Sequence, residues 1–247
     1  MSDDVPGMFV RSLRRCATLD AGSVAAVAAL PYTRRIVQPS SYIVREGEAP
    51  RSFCTFVIAG FAYRQKLSAE GARQIVSLRL SGEFLDLQHL FLDIADHNVQ
   101  ALTLCEVADV SRAALRSLVL DHHAVARAIW IDGLIEASIH REWLLNVGRR
   151  GARPRLAHFL CEFTVRMREA GIAGQDCYEF PMTQEQLGDA TGLTRVHVNR
   201  TLKALVAEGL IQFNRRRLTI IDWRRWQAVG EFNGVYLHLD QTTARVG

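Results

Sequence analysis

Lysine is nearly missing from this sequence: Lys66 and Lys203 are the only two, so arginine supplies almost all of the 30 basic residues. Long apolar runs are missing as well. No stretch approaches the roughly 18 consecutive apolar residues that a membrane-spanning helix needs. The five cysteines, Cys16, Cys54, Cys105, Cys161 and Cys177, are odd in number and scattered, and no two have C-x-x-C spacing. Neither a zinc knuckle nor a disulfide framework is indicated, and reduced thiols in the cytoplasm are the expectation. The N-terminus lacks the charged-then-apolar layout of a signal peptide. Motifs of catalysis are missing too: G-x-S-x-G, H-E-x-x-H and a Gly-rich phosphate loop do not occur, and the β-prone runs hold no set of two histidines with a carboxylate. The sequence thus predicts no enzyme, no metal and no cofactor, although an unidentified effector stays open.

What is present is positive charge in one place. The 247 residues carry a formal charge of only +4. Residues 149–230, however, hold 14 basic against 8 acidic side chains, while residues 1–148 hold 15 against 16 and the tail 1 against 2. A local positive field suits the release of counterions from nucleic-acid phosphates.

The basic segment contains PMTQEQLGDATGLTRVHVNRTLKALVAEGLIQFNRRRLTIID, Pro181 to Asp222. Thr183 stands three residues before Gln186, the spacing of a capping box, so a helix is predicted from about Gln184. It should end at Thr191-Gly192-Leu193, where Gly192 can take a positive φ. Thr194 then offers a second N-cap. From Arg195 to Glu208 the apolar positions Val198, Leu202, Leu205 and Val206 recur at helical spacing and leave Arg195, Asn199, Arg200 and Lys203 on the polar side. Gly209 should close that helix. Leu210–Phe213 and Leu218–Ile221 read as strands around Asn214-Arg215-Arg216-Arg217, a basic hairpin. The pattern is a winged helix-turn-helix. An α-helix fits the major groove, where arginine can bond guanine O6 and N7, which makes double-stranded DNA the expected partner.

Taken in order, residues 1 to about 35 contain one helical stretch, Gly22 to Leu30. From Ile36 to about Val110 short β-prone runs are punctuated by Gly47, Gly60, Gly71 and Gly82, the rhythm of an antiparallel sandwich or barrel, and an eight-strand jelly-roll-like β-roll is expected. Residues 111–121 suggest a short helix. A long one follows from about His122 to Arg149, with an apolar stripe wider than one packing face needs. Its positions 130, 134, 137, 141 and 144 keep a heptad step, interrupted by Arg141, which points to pairing with a second copy. Gly148 and Gly151-Ala152-Arg153-Pro154 break the helix. An amphipathic helix, Pro154 to Ala170, precedes the helix-turn-helix, Trp223 to Val229 forms a last helix, and Tyr236-Leu237-His238-Leu239 is a docking candidate in the tail. The fold class is α+β. The expected domains are a sensor β-roll at 1–121, a dimerisation helix and hinge at 122–150, a winged helix-turn-helix at 151–230 and a tail at 231–247.

A β-roll, a long helix, a glycine hinge and a winged helix, in that order, resemble the Crp/Fnr family of bacterial transcription regulators. The most specific stretch is GLTRVHVNRTLKALVAEGLI. The resemblance implies a cytoplasmic homodimer on a two-fold related DNA site that contacts RNA polymerase, with no membrane involved. Where family recognition helices commonly read Ser-Arg-Glu-Thr-Val, this chain has Thr194-Arg195-Val196-His197-Val198. Arg195 and Arg200 carry over, but Val196 cannot accept from cytosine as a glutamate would. Val196 is therefore expected against a thymine methyl and His197 against a base or phosphate. With Asn199 these form the base-reading set, and Thr183, Thr194, Lys203, Arg215, Arg216 and Arg217 form the phosphate-holding set.

In members that bind cyclic nucleotides, Gly-Glu-Leu or Gly-Glu-Phe is followed after a short helix by Arg-Ser. This chain has Gly82-Glu83-Phe84, but His97-Asn98 near the Arg-Ser position, and no arginine between Arg79 and Arg112. These five residues are the candidate effector pocket, and cyclic AMP is argued against because no permanent cation meets its phosphate. Cys16 alone cannot hold the iron–sulfur cluster of the oxygen-sensing branch. His89 and His97 read as polar loop and helix residues rather than haem ligands, and Cys54 and Cys105 as core filling rather than a redox switch. The alternatives to a sequence-specific regulator are a non-specific architectural DNA binder and a β-barrel enzyme.

Overall fold

A computed structural model describes residues 4–172 and 177–239. Those residues divide into two compact units. The first takes in the residues up to Gln65, Leu78–Ser138 and those from Leu237; the second takes in Lys66–Ser77 and Ile139–Tyr236.

The first unit begins with two helices, α1 (Val5–Arg14) and α2 (Ala21–Ala28), each opened by an aspartate. Asp4 accepts from the Gly7 amide at 2.8 Å, and Asp20 from the Ser23 amide at 2.9 Å. Only the second was expected, because Pro6 and Gly7 weaken the helical reading of the first; Pro is tolerated in a first turn, where its missing N–H is not needed. Seven strands follow: β1 (Tyr32–Val37), β2 (Tyr42–Val44), β3 (Phe53–Ala59), β4 (Ala62–Leu67), β5 (Arg73–Arg79), β6 (Asn98–Ala101) and β7 (Cys105–Ser111). They form two antiparallel sheets, in the orders β1-β7-β3 and β2-β6-β4-β5. The roll thus has seven strands where eight were expected. The eighth candidate, Gly82-Glu83-Phe84-Leu85-Asp86-Leu87, makes one isolated bridge, Phe56 to Phe84, and then turns into a short 3-10 helix at Leu87–Leu90.

α3 (Arg112–Asp121) and the long α4 (His123–Arg149) close this part of the chain. Phe9 from α1 packs edge-on to Phe56 at a ring separation of 4.9 Å, and Phe56 meets Phe84 at the same separation. Leu115, Leu118, Val125 and Ala128 complete that core. Burying each such aromatic contributes about 1.5–3 kcal/mol, so α1 is an integral wall of the unit.

In the second unit α5 (Ala152–Glu169) follows Gly151, and its buried residues include Leu156, Phe159, Leu160 and Phe163. A buried polar cluster joins it to the end of α4. Glu162 accepts from Trp143 Nε1 at 2.9 Å and from Tyr236 Oη at 2.9 Å, while Arg166 stands 3.5 Å away. His158 shares Nδ1 with the Gly230 carbonyl at 3.0 Å, and its Nε2 lies 3.1 Å from Tyr236 Oη and 3.3 Å from Glu142. Tyr236 of the tail is therefore docked, a point the sequence left open. Residues 240–247 of the expected tail lie outside the described residues.

β8 (Cys177–Glu179), α6 (Gln184–Thr191), α7 (Arg195–Ala207), β9 (Ile211–Asn214), β10 (Arg217–Ile220) and α8 (Trp223–Val229) complete the chain. The three strands pair antiparallel in the order β8-β10-β9. The sequence reading found β9 and β10 and missed β8.

Candidate nucleic-acid interface and effector cavity

The local chemistry of α6 and α7 is what the sequence promised. Thr183 Oγ1 accepts from the Gln186 amide at 3.2 Å and Gln186 Oε1 accepts from the Thr183 amide at 2.9 Å, so the capping box is closed at both ends. Gly192 ends α6 with φ at +64°. Arg155 of α5, which the sequence gave no reason to single out, donates to the Thr191 carbonyl at 3.1 Å and ties the turn to the body of the unit. Gly188 is needed for a different reason: a Cβ there would lie 2.4 Å from the Leu193 carbonyl oxygen, so the turn can close this tightly only on a hydrogen. Thr194 caps α7, accepting from the His197 amide at 3.3 Å.

α7 buries Val198, Thr201, Leu202 and Leu205. Its other side presents Arg195, Val196, His197, Arg200 and Lys203 to solvent. Asn199 is half-buried and donates to Gln184 Oε1 at 3.1 Å. Val196 is 76% exposed, an apolar side chain left largely in water. The structure therefore exposes four of the base-reading candidates, Arg195, Val196, His197 and Arg200, on α7, while Asn199 is tied to α6.

The wing turn places Arg215 and Arg216 both at positive φ, +47° and +71°. Two such residues in succession give the tight turn whose twist matches a hairpin, at some strain for side chains other than glycine. Arg216 folds back: its guanidinium donates to the Pro181 carbonyl and, through Nε, to Phe180 O at 3.4 Å, so it holds the wing against the start of α6. Arg217 Nε approaches Cys177 Sγ at 3.0 Å. Hydrogen bonds from Thr219 and Arg217 hold the Cys177 thiol below its ordinary value. Thr183, Thr194 and Lys203 are exposed.

The five effector candidates are dispersed. Gly82 donates to the Val57 carbonyl at 2.8 Å and Glu83 accepts from the Leu80 amide at 3.2 Å. His97 pairs with Asp96 at 2.6 Å, and Asn98 Oδ1 accepts from the Glu46 amide at 3.1 Å. Burial depresses the pKa values of His89 and His97, and the second ring nitrogen, Nε2, of each is buried without a partner.

Of the five, only Phe84 lines a cavity of about 660 Å³ that the first unit contains between the strands and the first half of α4. Two arginines, Arg64 within β4 and Arg79 at the end of β5, stand on its polar side, and both donate to Glu136 of α4. Arg64 also donates to the Leu85 carbonyl at 2.7 Å and to Gln88 Oε1 at 3.3 Å. Sequence reading missed this group. The one available signal was an arginine set at each of two β-prone positions where an apolar residue would be expected.

No group of three or more His, Cys, Asp or Glu among the described residues is placed to hold a metal ion. Among those residues no helix is long and apolar enough to cross a membrane.

Comparison with known proteins agrees with this arrangement. Residues 34–122 match the cyclic nucleotide-binding domain family, and residues 154–228 match the Crp-like helix-turn-helix domain family. The transcriptional activator protein FnrL of Cereibacter sphaeroides is 25% identical over 86% of this chain and 85% of its own length. The nitrogen fixation regulation protein FixK of Bradyrhizobium diazoefficiens is 28% identical over 89% of this chain and 91% of its own. The solved structure of FixK2 from Bradyrhizobium japonicum superposes with a TM-score of 0.74 at 26% identity, covering 81% of this chain and 98% of that one. With both domain families matched in order, and relatives alike along most of their length, the chain belongs to the Crp/Fnr family of transcription regulators and is not an enzyme.

Proposed function

We propose that the protein works in the cytoplasm as a homodimer that reads a two-fold related DNA site and adjusts transcription through contact with RNA polymerase. α7 enters the major groove. Arg195 and Arg200 bond guanine edges, Val196 covers a thymine methyl, and His197 and Asn199 add contacts to bases or phosphates. Thr183, Thr194, Lys203, Arg215, Arg216 and Arg217 hold phosphates, with Arg216 also bracing the wing. The observation that carries this reading is the exposed face of α7, with Val196 left in water among cations while both ends of the helix-turn-helix are capped.

The homodimer rests on α4. Trp130, Leu134 and Leu144 are 71%, 53% and 76% exposed and fall on the heptad positions that the sequence marked. In the sensor half, the pairing of Arg64 and Arg79 with Glu136 supports the reading against cyclic AMP as the effector.

The test compares Arg200→Ala and Arg215→Ala on a selected site and on random DNA. Arg200→Ala should cost about 1–3 kcal/mol at one base position and relax specificity there, while Arg215→Ala should weaken all sequences alike and lower the salt dependence by about one phosphate contact. Equal losses for both variants on both DNAs would refute the division of labour.

A further inference from the structure

Between the end of α4 and the start of α5 the chain has only Arg150 and Gly151. Gly148 and Gly151 stand at this join, and close packing holds neither: an added Cβ meets nothing within 4 Å at the first and only the Pro154 ring, at 4.0 Å, at the second. Backbone of this kind does not by itself fix the angle between two helices.

Side chains fix it, and the tail supplies some of them, all within the second unit. Residues 230–237 follow the matched helix-turn-helix domain, which ends at residue 228. They lie flush on α5: a Cβ at Gly230 would stand 2.8 Å from the His158 amide nitrogen, so only glycine allows the approach. Phe232 and Tyr236 then pack on the His158 ring at separations of 5.3 and 5.9 Å. The Tyr236 hydroxyl sits between His158 Nε2 at 3.1 Å and Glu162 Oε2 at 2.9 Å. Glu162 is only 2% exposed, and its other close donor is Trp143 Nε1 of α4. A carboxylate buried this deeply is costly unless its donors are in place, so the loss of one loosens the rest. At the join itself, Glu231 lies 3.4 Å from Arg150 Nε, while Glu142 of α4 holds the same guanidinium at 2.7 Å.

The tail thus ties the end of α4 to the start of α5 at two points. We propose that Tyr236 and Glu231 are positioning residues for DNA reading: acting through Glu162, His158 and Arg150, they hold the α4–α5 angle and with it the spacing of the two recognition helices in the dimer. The proposal deepens the regulator reading above and rests on its homodimer.

The test measures binding of the full-length protein to three kinds of duplex: the palindrome that wild type selects, the same palindrome with its half-sites one base pair closer or further apart, and a single half-site. One base pair moves a half-site by about 3.4 Å. Wild type should prefer the selected spacing by at least about tenfold, because joint binding of two sites is lost when the geometry forbids it. Tyr236→Phe keeps the ring and loses only the hydroxyl. It should prefer that spacing by about threefold or less, and bind the single half-site within about twofold of wild type. Glu231→Gln alters a side chain that is 63% exposed and should reduce the preference in the same direction. A merely structural loss would instead lower affinity for all the duplexes together. Undiminished spacing preference in Tyr236→Phe would overturn the proposal, as would single half-site affinity that falls as far as the palindrome's; where that variant does not fold, the same results in Glu231→Gln decide. If wild type selects a palindrome yet shows no spacing preference, the proposal fails and the regulator reading stands. If it selects no sequence, both fail.

Discussion

Gly188 and His158 show how single atoms decide the behaviour of the DNA-binding unit. At Gly188 the Leu193 carbonyl leaves room for a hydrogen only. Gly188→Ala should therefore destabilise by about 1–3 kcal/mol, as overpacking does, although alanine is the better helix former. A urea-unfolding midpoint unchanged from wild type would show that the turn relaxes. His158 is buried, and burial, with the Arg150 charge second, holds its pKa down to about 4 from the ordinary 6.5. Glu142, Glu231 and the Gly230 carbonyl pull the other way without prevailing. In the unfolded chain the imidazole takes a proton as pH falls below about 6.5, while the folded protein refuses it until about 4. Stability is therefore fully present above the unfolded value and is lost as pH falls through this window. His158→Asn, which keeps a donor toward Gly230, should flatten the fall of the unfolding midpoint between pH 6.5 and 4. An equally steep fall in the variant would place the pH dependence elsewhere.

At the scale of elements, the two halves differ in how far they can be read from the chain. The helix-turn-helix was legible nearly to the residue because its signals are local: Thr183 with Gln186, Gly192, Thr194 and the Asn214–Arg217 turn all act within a few positions. β8 was not legible. It has three residues, Cys177–Glu179, and its partner β10 begins at Arg217, so nothing near it in sequence marks it as a strand. The roll was overcounted by one strand because Gly82–Leu87 alternates as a strand does but turns on itself after a single bridge. The cavity was illegible for the same reason as β8. Arg64 and Arg79 look like surface residues until Glu136, from another element, is brought to them. α4 offers its own prediction. Leu144 is 76% exposed, so Leu144→Glu should change the stability of the isolated chain by no more than about 0.5 kcal/mol. If α4 is the dimer seam, sedimentation should show a folded monomer and DNA affinity should fall. A variant that remains a dimer at low micromolar concentration would remove α4 residue 144 from the interface.

For the whole molecule, the decisive asymmetry is charge: a nearly neutral sensor half precedes a strongly basic reader half. That gradient is visible in the sequence and matches the division of matched families along the chain. It suits binding to DNA but not the choice of site, which the proposed function assigns to Arg195, Val196, His197, Asn199 and Arg200 on α7. The measurement that bears most directly on the account is selection of binding sites from a random duplex pool by the purified full-length protein, with no ligand added. A dimeric, sequence-specific reader should recover a palindrome whose half-sites lie about one helical turn apart. Binding that enriches no sequence and simply fades as salt rises would contradict it, and would leave only phosphate contact where base reading is claimed.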